Sequence, residues 1–210
     1  MRLLIMGPPG AGKGTQAACV SQHYNVPAIS TGDIFRRMNT VDTPLAQQVR
    51  AVMAAGGYIS DDITNAIVAD RLNESDCAGG FLLDGYPRTL KQAEALDNAL
   101  AVRSQHIDAV ISLVADVDAV VPRLLKRAEV EGRSDDNEET IRKRQAIYAA
   151  QTAPLLDLYR DRELLVEVDA LGEITDVSER LLAALDRLAY RNGLDRPRSR
   201  SGPDRSIRPA

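Results

Sequence analysis

Tryptophan is absent from this chain, phenylalanine occurs twice, and cysteine and histidine occur twice each. Two cysteines, Cys19 and Cys77, make neither a disulfide framework nor a four-thiolate metal site. They read as small apolar thiols packed in a reducing compartment. His23 and His106 have no carboxylate partner or metal-ligand spacing, and both read as structural or surface residues. No Ser-His-Asp arrangement is visible. No apolar run approaches the ~18–20 residues that a membrane span needs. Met1-Arg2 leads straight into "LLIM" and a glycine loop, which leaves no room for a signal peptide, so a cytoplasmic location is expected.

What is present is ordinary globular composition: 210 residues, 44% hydrophobic and 27% charged, enough for one good core with small insertions. The net charge of −4 conceals an asymmetry, because residues 191–210 hold six Arg and two Asp, a balance of +4. The remainder is therefore at −8. That tail is rich in Arg, Pro, Ser and Gly and nearly free of apolar residues, so it cannot offset its own ordering entropy. A solvated, disordered tail is the plainer reading; electrostatic contact with RNA or another acidic surface is the alternative. No aromatics are interleaved with its arginines, so base stacking has no support.

Short apolar, β-branched runs predict strands at Arg2–Met6, Val26–Ser30, Phe81–Asp84, Asp108–Val114 and Leu164–Asp169. Between them lie longer stretches of helical periodicity, such as Ile63, Ile67 and Leu72 in "DDITNAIVADRLNES". This alternation predicts an α/β chain with a parallel sheet covered on both faces, and ligands beyond the carboxyl ends of its strands. Two stretches look like excursions that could serve as flaps. One is the helical segment 31–59, ending in the glycine pair of "AAGGY"; the other is the polar "RAEVEGRSDDN" at 127–137.

Three strand exits carry chemistry. After the first comes "GPPGAGKGT", residues 7–15. A strand, a glycine-rich turn and a helix let the backbone N–H groups of Gly10, Ala11, Gly12, Lys13, Gly14 and Thr15 converge on phosphate, with Lys13 as a point charge. The common form of this loop has a hydroxyl directly after the lysine to meet magnesium. Here Gly14 takes that place and Thr15 comes one position late. The second exit is "STGD". The third is "FLLDGYPRT", where Asp84 reads as a magnesium-side carboxylate acting through water, and Arg88 can fork onto phosphate. Thr89 and Gln92 have capping-box spacing. Arg88 and Gln92 also lie one helical turn apart, so Gln92 can face the same ligand. Arg36, Arg88, Arg123, Arg127, Arg133 and Arg144 all lie near flaps or strand exits. A protein bringing two polyphosphates together needs several such charges. Asp135 and Glu138 make a helix start between Arg133 and Arg144.

Together "GPPGAGKGT", "STGDIFR", "FLLDGYPRT" with Gln92, "GRSDDNEETIRKR" and "QTAPL" resemble the adenylate kinase family of nucleoside monophosphate kinases. The resemblance covers roughly residues 1–190 and implies a P-loop NTPase-type three-layer fold on a five-stranded parallel sheet. It implies an AMP-binding segment at 30–59, a short lid at 127–137, and a tail at 191–210 that lies outside the family pattern. The implied reaction is MgATP + AMP ⇌ 2 ADP. By position, Thr31, Arg36, the backbone of Gly57, Tyr58 and Ile59, the turn Gly85, Tyr86, Pro87 and Arg88, and Gln92 would hold AMP. Gly10–Thr15 and the Gly172 backbone would hold ATP, with Arg123 at the adenine-stacking position and Arg127 on the phosphates. Arg133 and Arg144 would reach the transferring group and the AMP phosphate; Asp135 and Asp136 would help the lid to close. Many bacterial members have a longer lid with a zinc site. Here few residues separate Arg127 from Arg133 and both cysteines lie elsewhere, so a zinc-free lid is expected. No direct protein ligand to magnesium is expected either, only Asp84 through water. The chain is expected to act as a monomer on ATP, AMP and ADP, away from membranes and without nucleic acid. A UMP or CMP acceptor, a GTP donor, or a non-catalytic nucleotide sensor remain rival readings; Thr31 favours adenine.

Overall fold

The computed structural model describes residues 1–116, Val120, Leu124 and 137–193. Among them five strands form one sheet: β1 (Arg2–Met6), β2 (Ala28–Ser30), β3 (Phe81–Asp84), β4 (Ala109–Val114) and β5 (Leu165–Asp169). Their spatial order is β2-β3-β1-β4-β5, and every pairing is parallel. From β1 the chain goes to the edge at β2, returns to β3 beside β1, and then crosses to the other side for β4 and β5. The connections after β1 and β3 therefore diverge around one crevice, where ligands of open parallel sheets sit.

The strands are apolar on both faces because both faces are covered. Leu3, Ile5, Leu82, Ile111 and Leu113 point to one side, where α1 (Lys13–Tyr24) and α8 (Ile174–Arg191) pack. Helix α8 offers Val177, Leu181, Leu185 and Leu188 at helical spacing. Leu4, Met6, Phe81, Leu83 and Val110 point to the other side. There they meet α4 (Asp61–Leu72), α5 (Leu90–Ala101) and α7 (Pro154–Asp161) through Val68, Leu72, Leu96, Leu100, Leu155 and Tyr159.

Two of the five expected strands have their expected limits, and the other three begin later. β2 starts at Ala28 because Pro27 has no N–H for the ladder; its carbonyl still accepts from Leu82 N at 2.9 Å. β4 starts at Ala109 and β5 at Leu165, each one residue inside the expected run.

The excursion after β2 has a small core of its own. Helices α2 (Thr31–Arg37) and α3 (Pro44–Ala54) close over Phe35, Val49 and Ile59, with Met53, Ile63 and Ile67 packed against them. The glycine pair of "AAGGY" is a helix cap: Gly56 N reaches Met53 O at 2.9 Å and Gly57 N reaches Val52 O at 3.0 Å. Of the second excursion, 127–137, only Asn137 lies within the described residues. It caps α6 (Glu138–Ile147) by accepting from Thr140 N at 2.9 Å, so Glu138 opens the helix as expected, while Asp135 lies outside the described residues.

Candidate functional site

The loop between β1 and α1 is shaped by glycine and closed by lysine. Gly12 caps α1 at φ 86°, in the left-handed region, and offers no side chain to the first amides of the helix. Those amides are thus left to an anion. Lys13 Nζ folds back over the loop, donating to Gly7 O at 2.8 Å and Pro8 O at 3.0 Å.

Asp84 ends β3, in register with Ile5 of β1 and Ser30 of β2, so its carboxyl emerges beside the loop. Burial pushes its pKa up; Lys13 and Arg88 pull it down, Asp33 adds to the rise, and Arg36 opposes it. The net direction is upward. The next residue turns the chain: Gly85 stands at φ 78°, and a Cβ there would lie 2.9 Å from both Arg88 Nη2 and Thr31 Oγ1. Gly85 O accepts from Thr31 Oγ1 at 2.9 Å and from Arg88 Nε at 2.7 Å.

Gln92 forms the cap that its spacing allowed, and its side chain bonds within the fold. Its backbone N–H donates to Thr89 Oγ1 at 3.2 Å, which caps α5. Its buried amide accepts from Arg88 N at 2.8 Å and donates to Asp61 Oδ1 at 2.7 Å. The amide does not return to the cap residue itself, so the capping box is half formed. Thr31, Ile59, Arg88 and Gln92 border a small cavity with room of about 10 Å³, beside the main cleft. Over Arg88 lies the Tyr58 ring, its centroid 4.5 Å from the guanidinium carbon. Arg36 pairs with Asp33 one turn away.

Helix α6 ties these parts together. Lys143 Nζ donates to Ala55 O at 2.6 Å and Arg144 Nη2 to Met53 O at 3.5 Å, both on the excursion after β2. Gln145 Nε2 donates to Pro9 O of the phosphate loop at 3.0 Å. The helix then widens into a single π-turn, Tyr148–Thr152, a distortion often found at functional sites. From it Thr152 Oγ1 donates to Arg88 O at 3.0 Å. The Tyr148 phenol is pushed up to about 12 by burial, with Tyr58 adding to the shift.

These groups line one cleft of about 790 Å³. It gathers Gly10, Gly12, Lys13, Gly14, Thr15 and Gly172 from the expected ATP side, and Arg36, Gly57, Tyr58, Ile59, Gly85, Tyr86, Pro87, Arg88 and Arg144 from the expected AMP side. Asp84 stands in the same wall. Thr31 and Gln92 face the smaller cavity, and Ala11 is buried inside the loop. Arg123, Arg127, Arg133, Asp135 and Asp136 lie outside the described residues. Sequence reasoning missed Asp33, Phe35, Met53, Tyr148, Thr152 and Ile174 as lining residues, although Thr152 sits in the quoted "QTAPL". It also missed two carboxylates: His23 Nε2 lies 3.7 Å from Asp186, and His106 Nε2 lies 3.6 Å from Asp108. Among the described residues no group of three or more His, Cys, Asp or Glu is placed to hold a metal ion. No described helix is long and apolar enough to cross a membrane.

The family profile described as "Adenylate kinase" matches residues 5–164. The chain is 53% identical over 186 residues to an adenylate kinase of Nocardioides sp., covering 89% of this chain and 97% of that one. It is 54% identical over 198 residues to an adenylate kinase of Clavibacter michiganensis subsp. michiganensis, covering 94% and 99%. A third, from Leifsonia xyli subsp. xyli, is 54% identical over 183 residues, covering 87% and 92%.

Proposed function

The chain belongs to the adenylate kinase family, and from that premise we propose how its cleft carries the family's reaction. That reaction is the reversible transfer of the terminal phosphoryl group of ATP to AMP, giving two ADP. One observation supports the division of labour best: two anion-binding devices share one cleft. These are the loop Gly10–Thr15 and the turn Gly85–Arg88 with Arg36 and Arg144.

The donor's phosphates rest on the amides of Gly10–Thr15, with Lys13 swinging from the Gly7 and Pro8 carbonyls onto their oxygens. Gly172 borders the nucleoside end, where Arg123 stacks on adenine and Arg127 reaches the phosphates. AMP lies across the Gly57–Ile59 backbone, its base toward Thr31 and Gln92 and its phosphate on Arg36, Arg88 and Arg144. That phosphate arrives largely ionised, since its second pKa is about 6. It needs alignment and charge neutralisation more than a base, which fits a cleft rich in arginine and without a histidine dyad. The short lid at 127–137 closes over both nucleotides, bringing Arg133 to the transferring group while Asp135 and Asp136 help it shut. Closure excludes water, so that ATP is not wasted by hydrolysis.

The donor set suits magnesium carried in with ATP. The Asp84 carboxylate at the end of β3, beside a phosphate loop, matches an ion that keeps its waters and meets protein sparingly. Bound there, the ion supplies positive charge to the phosphate oxygens. Asp84 would orient one of its waters, and Thr15 would not ligate it. We take the chain to work as a cytoplasmic monomer on these nucleotides alone, since both halves of the chemistry are present in one chain.

Initial rates with AMP, UMP, CMP and GMP, each against ATP and GTP, test the assignment. AMP with ATP should be the fastest pair. UMP or CMP outpacing AMP would refute the adenine reading of Thr31 and Gln92.

A further inference from the structure

Arg88 is held at three points, and each leaves its phosphate-binding capacity intact. Its backbone N–H is taken by Gln92 and its carbonyl by Thr152. Its Nε, the inner end of the guanidinium fork, donates to Gly85 O. The two outer nitrogens remain for a planar, bidentate anion. A long arginine side chain pinned only at Nε still swings about its last bonds, and holding it costs rotamer entropy. A carboxylate partner would stop the swing but would occupy the very donors an anion needs.

The Tyr58 ring stops it without taking a donor. The guanidinium carbon stands over its face, 4.5 Å from the centroid, and the ring borders both the main cleft and the small cavity beside it. The ring is itself well placed. It follows the glycine cap of α3, adjoins Ile59 of the small core, and is half-buried. Its closeness to Tyr148 is felt in the raised pKa of that phenol.

We propose that Tyr58 is a positioning residue for this reaction: its aromatic face pre-aligns Arg88 for the AMP phosphate by a cation–π contact that consumes no hydrogen-bond donor. This goes beyond a role for the Tyr58 backbone and rests on the reading of Arg88 as an AMP phosphate ligand. The ring face matters and the phenol oxygen does not.

Steady-state kinetics on the full chain test it, with Tyr58→Leu, Tyr58→Phe, Arg88→Ala and the double variant Tyr58→Leu/Arg88→Ala. Loss of a partly desolvated cation–π contact should lower kcat/KM for AMP about five- to tenfold in Tyr58→Leu. KM for ATP should stay within about twofold, since the phosphate loop is untouched. Tyr58→Phe should recover most of the loss, and Tyr58→Leu should cost nothing further once Arg88 is alanine. Wild-type AMP kinetics in Tyr58→Leu, equal damage in Tyr58→Phe, or an undiminished effect in the Arg88→Ala background would each overturn the proposal. Unaltered AMP kinetics in Arg88→Ala would sink the reading of Arg88, and the role of Tyr58 with it. A damaged Arg88→Ala beside an intact Tyr58→Leu would sink the role of Tyr58 alone.

Discussion

Asp84→Asn separates two consequences of placing one carboxyl at the floor of the cleft. Without nucleotide, burial outweighs Lys13, Arg88 and Arg36, and Asp84 is harder to ionise folded than unfolded. The folded chain thus binds more protons than the unfolded one above the ordinary aspartate range near pH 4. Its contribution to stability is fully present below that range and is lost as pH rises through the folded pKa. One proton sets the limit of the slope, about 1.4 kcal/mol per pH unit. The nearly isosteric amide has no such slope. In urea titrations without nucleotide, from about pH 4 to about pH 8, the Asp84→Asn variant should gain on the wild type until the folded pKa is passed, then run parallel. Turnover should move the other way, falling roughly a hundredfold with loss of the carboxylate that would orient the magnesium's water. Thr15→Val should cost less than about threefold. A stability difference shifting toward the wild type with rising pH would mean that the three cations keep Asp84 ionised. The reverse ranking of the two turnovers would make Thr15 the metal ligand.

Thr89→Ala removes the acceptor for Gln92 N and the 3.1 Å bond to Asp61. It should cost about 1–2 kcal/mol in urea unfolding. Gly85→Ala should raise KM for AMP about tenfold while leaving KM for ATP nearly unchanged, because the new methyl would displace Arg88 and Thr31. It should also destabilise the fold by about 1–3 kcal/mol through its positive φ. The chain shortened to residues 1–193 should retain full AMP phosphorylation, and loss of turnover would assign the basic tail a part in catalysis.

The central strands were legible because a strand buried on both faces is written as an unbroken apolar run, as in "LLIM" and "FLLD". The start of β2 was not, because Pro27 pairs through a carbonyl that no hydrophobic pattern reports. The phosphate loop was legible from spacing alone, since its glycines, lysine and helix are contiguous. Gln92 marks the limit of that method. Spacing offered a cap or a ligand-facing amide, and only the fold shows the backbone N–H making the cap while the side-chain amide joins Arg88 N to Asp61. His106 and Asp108 lie two apart, on one side of an extended segment, so period-two reasoning could have paired them. Asp186 beside His23 could not be found that way, for it comes from the far end of the chain on α8. Tyr58 over Arg88 is likewise a meeting that no local pattern records.

Helix α6 has a rotational phase as well as a position. Lys143, Arg144 and Gln145 are consecutive, about 100° apart around the axis and about 1.5 Å apart along it. The first two grip the excursion after β2, while the third grips the loop between β1 and α1. Several residues later Thr152 reaches the backbone of Arg88. The two halves of the cleft are therefore indexed to one another through the pitch of a single helix. Length changes before Asn137 leave that index alone. One residue gained or lost between 138 and 152 would turn part of the helix by a quarter of a revolution, breaking some of these grips and re-aiming cleft residues such as Arg144 and Tyr148. In this family member, insertions should be tolerated ahead of α6 and purged within it.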